Sequence, residues 1–220
     1  MKKILSILFG ASLLLATSAQ AEGMIGIKYG TGELDATKNA YASSATNTYA
    51  AQSKSKSHEY GAIFAELNID KVDGLSVGLE IIPITATIML ENAKEAMTGA
   101  ELSNHTTLYG QYMHSTGNGG VYLKAGYAMA DIGTITQTVN ASAESGNQAV
   151  NSQDDKLQGP MIGIGFQTSE FGAGFVARLE ATYTDYDDVS VTTTSNGSAN
   201  IKKTAEAELT TFSLSLAKTF

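Results

Sequence analysis

Over much of the chain apolar and polar residues alternate one for one, the period of a strand whose two faces meet different surroundings. Leu75, Val77, Leu79 and Ile81 fall on one side of such a run, with Ser76, Gly78 and Glu80 on the other. Phe175, Ala177, Leu179, Ala181 and Tyr183 oppose Arg178, Glu180 and Thr182. Phe212, Leu214, Leu216 and Phe220 oppose Thr211, Ser213, Ser215 and Ala217. This pattern predicts eight strands, at about 24–31, 57–67, 75–84, 104–114, 120–132, 158–168, 173–186 and 207–220. Each approaches the ~9–11 residues with which a tilted strand crosses a bilayer.

The links alternate in length. Asn68–Gly74, Ser115–Gly119 and Ser169–Gly172 are short, and two of them close on Asp73-Gly74 and Asn118-Gly119, pairs suited to the positive φ of tight hairpins. Residues 32–56, 85–103, 133–157 and 187–206 form long links rich in Ala, Ser, Thr, Asn and Gln. That composition buries little apolar area and favours mobile loops, while its Thr-rich parts suit prolonged hairpins. Residues 90–97 have the composition of one or two helical turns. The chain thus divides into four hairpins, 24–73, 74–118, 119–171 and 172–220. Pro83 is placed at the end of an outbound strand and Pro160 at the start of an inbound one, where a missing ladder donor costs least. Short turns on one side and long loops on the other are the mark of an outer-membrane barrel with both termini in the periplasm.

Residues 1–21, MKKILSILFGASLLLATSAQA, read as an export signal: basic Lys2 and Lys3, an apolar stretch from Ile4 to Ala16, and Ala19-Gln20-Ala21 at the cleavage site. The barrel domain is then 22–220, and loss of the two lysines takes the net charge from −8 to −10. Such an acidic balance argues against nucleic acid as a partner. The chain has no Cys, which removes disulfides and thiolate metal sites, and its 16% of charged residues is below the ~25% of soluble domains.

The C-terminal run Phe212-Ser-Leu-Ser-Leu-Ala-Lys-Thr-Phe220, with the four-hairpin rhythm and the export signal, resembles the small eight-stranded outer-membrane β-barrel family. That group includes the OmpA transmembrane domain and the opacity-type surface proteins. The resemblance implies an all-β, up-and-down antiparallel barrel in the outer membrane of a Gram-negative-type cell. It also implies that Phe212, Leu214, Leu216 and Phe220 are read by the barrel-assembly machinery, with Lys218 departing from the apolar residue usual at that place.

With the apolar face turned to lipid, aromatic residues gather near both strand ends: Tyr29, Tyr127 and Tyr183 on the loop side, Tyr112, Phe166, Phe175 and Phe220 on the periplasmic side. The inward face carries Lys28, Glu66, Glu80, Lys124, Arg178 and Glu180. Lys28, Glu80, Lys124 and Arg178 are expected at similar depth, because each lies four to six residues beyond its strand start. In so narrow a lumen opposite charges pair, and Glu80 is expected to bridge to Arg178 or Lys124 as a plug.

Catalytic and metal chemistry is thin. His58 and His105 fall near the loop side and His114 near a periplasmic turn. Barrels of this size include lipid-A-modifying enzymes with a membrane-level His, a Ser and an acid, and alternation puts Ser103 and His105 on one face with Glu101 nearby. No wider motif supports that trio. Asp185, Asp187 and Asp188 lack the pattern of a calcium loop and read as rim charge. Asn104, Asn140 and Asn196 open glycosylation triplets of the kind that Asn-rich loops contain by chance. No cofactor or metal is expected. The leading reading is a non-enzymatic surface protein, touching membrane lipids and an unidentified external partner through its loops. A narrow porin-like channel, a lipid-modifying enzyme and a soluble apolar-binding barrel are the alternatives.

Overall fold

The computed structural model describes residues 22–38, 41–44, 47–49, 51–83, 86–90, 98–135, 149–152, 156–194 and 201–220. The proposed export signal, Asn140, Asn196 and residues 91–97 lie outside these. Eight long strands make up the wall: β1 Gly23–Lys38, β2 Gln52–Asn68, β3 Leu75–Ile82, β4 Thr98–Thr116, β5 Gly119–Ile135, β6 Lys156–Thr168, β7 Phe175–Thr194 and β8 Ile201–Thr219. Each pairs antiparallel with its neighbours in sequence, and β8 returns to β1, so the sheet closes. Closure satisfies the backbone without water, which is what lets strands cross hydrocarbon. No helix occurs among the described residues.

The short turns fall where alternation predicts them. Gly74 has φ +77° and Gly119 φ +141°, conformations that a side chain would strain. The described parts of the long links, by contrast, are largely strand. β1 and β2 pair out to Lys38 and Gln52, and β7 and β8 out to Thr193 and Ile201. The predicted helical turns are corrected at their first residue, since Leu90 ends the strand Ala86–Leu90, which pairs with β4. A strand at Ala149–Ser152 pairs with the upper part of β7, and Tyr41–Ser44 pairs with Asn47–Tyr49.

Pro160 lies inside β6 rather than at its start. It faces Tyr127 of β5, while the β6–β7 ladder begins only at Met161 and Thr184, so the missing donor falls where that ladder ends. Among the described residues, two bulges interrupt the loop-side wall, between Tyr186 and Val189 in β7 and between Ser103 and Thr106 in β4. Asn104 supplies the second with φ +53°.

The faces are inverted relative to a soluble barrel. Ile27 is 64% exposed and its neighbour Lys28 is 5% exposed. Leu108, Leu123, Ile162, Leu179, Phe212 and Leu214 are likewise exposed, while Glu66, Lys124 and Arg178 are buried. Only hydrocarbon solvates such an exterior, which excludes the soluble apolar-binding barrel. Among the described residues three apolar clusters fill parts of the interior: Met24, Phe64, Val176 and Ala217 near the periplasmic end, Tyr60, Ala62 and Ile82 on β2 and β3, and an outer apolar layer of Leu34, Ala128, Ala130, Leu157, Tyr186 and Leu209 near the loops.

Candidate functional site in the lumen

Six buried charges lie in two groups on either side of Phe64: Glu66 is level with Met24, and Phe64 is level with Glu80. The deeper is built on β2 and β7. Arg178 donates through Nη1 and Nη2 to the two oxygens of Glu66, at 2.6 and 2.8 Å, and through Nε to Gln167 at 2.7 Å. The Tyr109 hydroxyl donates to Glu66 Oε1 at 2.8 Å. The guanidinium lies 5.4 Å from the ring centre of Phe64 and 5.2 Å from that of Tyr122. A planar cation with a forked donor set suits this place better than lysine would.

The second group lies towards the loops. Lys28 donates to Glu80 at 2.6 Å and also to Glu180, while Lys124 donates to Glu80 at 3.0 Å and to Glu180 at 3.3 Å. The Tyr122 hydroxyl adds a bond to Glu180 at 3.0 Å. Lys124 Nζ also sits 3.8 Å from the ring centre of Tyr109. Each group holds as many cations as anions, so the lumen carries no net charge from these six residues.

Glu80 therefore meets Lys124 and Lys28, but not Arg178. The grouping also differs from the expectation of common depth, because Arg178 joins Glu66 and Glu180 takes the place predicted for it. Counting from strand starts ignores the stagger that tilt imposes on a closed barrel. Tyr109, Tyr122 and Gln167 share the inward face by simple alternation and were legible as partners, although attention to charge alone passes over them.

A cavity of about 10 Å³ lies above the second group, lined by Glu80, His105, Thr107, Lys124, Thr184 and Thr211 among others. It has room for about one water.

The bulge corrects the Ser103–His105 pairing. Ser103 faces Asp131, Thr106 faces Met129, and two residues intervene opposite Ala130 alone. His105 thus turns into the lumen, its Nε2 2.8 Å from the Tyr186 hydroxyl, while Ser103 is half-buried and stays paired with Asp131, on the face opposite the buried Ala130. The two do not converge. Asn104 donates to Asp131 at 2.7 Å. Asp185 and Asp187 are exposed, and the Tyr127 hydroxyl donates to Asp187 at 3.3 Å. No group of metal-holding side chains occurs among the described residues.

On the exterior, Tyr29, Tyr112, Tyr127, Phe166, Phe175 and Tyr183 are all more than a third exposed. Phe212, Leu214 and Leu216 form an outward row on β8, and Phe220 follows the last strand residue, its backbone bonded to Gly23. Lys218 bends to the periplasmic turn, with its ammonium on the Ala173 carbonyl and 5.6 Å from the Phe175 ring centre.

No protein-family model matches the chain, and no curated protein matches its sequence. Its likeness to known proteins is one of structure. The outer membrane protein OprG from Pseudomonas aeruginosa aligns over 90% of this chain and 96% of its own, with TM-score 0.64 and 14% identity. The outer membrane protein AlkL, in DMPC bilayers, aligns over 90% of each chain with TM-score 0.55 and 11% identity. The outer membrane protease OmpT from Escherichia coli aligns over 90% of this chain and 97% of its own, with TM-score 0.53 and 10% identity. At these identities the likeness is one of fold. The chain has the fold of the small outer-membrane β-barrels, closed here by eight strands, and a protease among its structural neighbours means that fold alone leaves catalysis open.

Proposed function

We propose that this protein is a non-enzymatic surface protein, in which a sealed barrel anchors long external hairpins that adhere to or recognise a partner. The observation that carries the reading is the filled lumen: six buried charges with their partners, packed among buried apolar side chains. An ion crossing it would have to break several charge-assisted bonds at once. The hairpins β1–β2 and β7–β8 rise from this base as paired strands, a firm mount for binding residues. The separation of Ser103 from His105 supports the absence of lipid-modifying chemistry. Phe212, Leu214, Leu216 and Phe220 serve, in this reading, as the outward row that the assembly machinery engages.

Planar-bilayer conductance tests it, on protein first shown to be folded by its heat-dependent gel mobility. Silence is the expected result. Steady single-channel events altered by Glu80→Gln would establish the alternative, a narrow channel for ions or very small solutes.

A further inference from the structure

His105 is buried at 7% exposure, and its Nδ1 has no hydrogen-bond partner. The other ring nitrogen is committed to Tyr186. Gln111 Oε1 and Ser213 Oγ are also unpartnered, but neither residue lines the cavity above the ionic layer, whereas His105 does. The wall of that cavity combines His105, Glu80, Lys124 and several threonines with the apolar residues Tyr60, Ile82, Met161 and Leu209. A buried polar atom without a partner, on a residue that lines a space of one-water size with charged and hydroxyl-bearing neighbours, points to a ligand of that size.

We propose that the cavity beneath His105 is a binding site for a single water molecule, which joins the imidazole to the ionic layer of the lumen. Size and charge both select a neutral ligand. A volume near 10 Å³ admits one small molecule. Lys28 and Lys124 already balance Glu80 and Glu180, so a further cation would meet the lysines and a further anion the carboxylates. Water, the neutral molecule of this size present at molar concentration, can both donate to an imidazole nitrogen or a carboxylate and accept from a threonine hydroxyl or an ammonium. The molecule completes the plug at its loop side: Tyr186, a member of the outer apolar layer, is tied to His105, and His105 is tied through water to the charges below.

The test is a crystal structure of protein purified from outer membranes, at a resolution that shows isolated waters, grown once with potassium and once with rubidium. We expect one peak about 2.7–3.2 Å from His105 Nδ1, with a second partner from the cavity wall and no rubidium signal. An empty cavity, an anomalous rubidium peak there, or an imidazole turned onto a side chain would each overturn the proposal. His105→Leu should abolish the peak, and a peak that survives would show that His105 does not hold the water. If that variant fails to fold, the ¹⁵N shift of Nδ1 in the unaltered protein decides: a hydrogen-bonded value is expected, and a free one refutes the site.

Discussion

Arg178→Met removes the cation of the deeper group and leaves Glu66, 2% exposed, with the Tyr109 hydroxyl as its remaining donor. Gln167 loses its partner as well. An uncompensated charge at this burial costs about 3–5 kcal/mol. Glu66→Gln strands the guanidinium, 4% exposed, and should cost a similar amount. The double variant buries no charge, so most of the loss should return: it should lose less than either single, a coupling of at least about 3–5 kcal/mol. Urea unfolding of vesicle-inserted protein measures it by far-UV circular dichroism, with tyrosine emission as the second probe because the chain has no Trp. Single variants that each lose less than about 1 kcal/mol would refute the reasoning, as would a double variant whose loss equals the sum of the singles. Either result would mean that water, rather than the pairing, solvates these charges.

Gly78→Ala would set a methyl 2.6 Å from the Tyr109 ring and hydroxyl, a position only a bare glycine tolerates. About 1–3 kcal/mol should be lost in the same urea assay, and a neutral result would show that the Tyr109–Glu66 bond gives way freely. At the β4 bulge, Asn104→Gly keeps the positive φ and should stay within about 0.5 kcal/mol. Asn104→Val should cost about 1–2 kcal/mol, and equal stabilities for the two would remove the bulge from the account. Deleting Phe220 should lower the folded, heat-modifiable yield in cells while leaving refolding of purified chain in detergent intact. Equal losses in both would make its role structural rather than a recognition signal.

Alternation and turn chemistry made the architecture legible. A period of two assigns each residue to a face without any knowledge of its partners, and Asp73-Gly74 and Asn118-Gly119 mark the periplasmic hairpins. The eight strands, the lipid-facing row of Phe212, Leu214 and Leu216, and the inward charges follow from that local rule. Length was less legible. The described parts of the polar links pair as strand because a neighbouring strand supplies hydrogen bonds that composition does not reveal.

Depth and count belong to the closed barrel. Glu66 and Arg178 are 112 residues apart, and no local pattern places them level, since that depends on strand tilt and on the register of every pair around the ring. Glu80 meets Lys28 and Lys124 for the same reason, and Arg178 two residues from Glu180 serves a different group. Ser103 and His105 share a face in a perfect strand and lose it to one extra residue at Asn104, which shifts the alternation by one. The chain thus determined locally which side chains turn inward, and the closed, bulged wall decided which of them meet, because stagger and inserted residues are properties of paired strands.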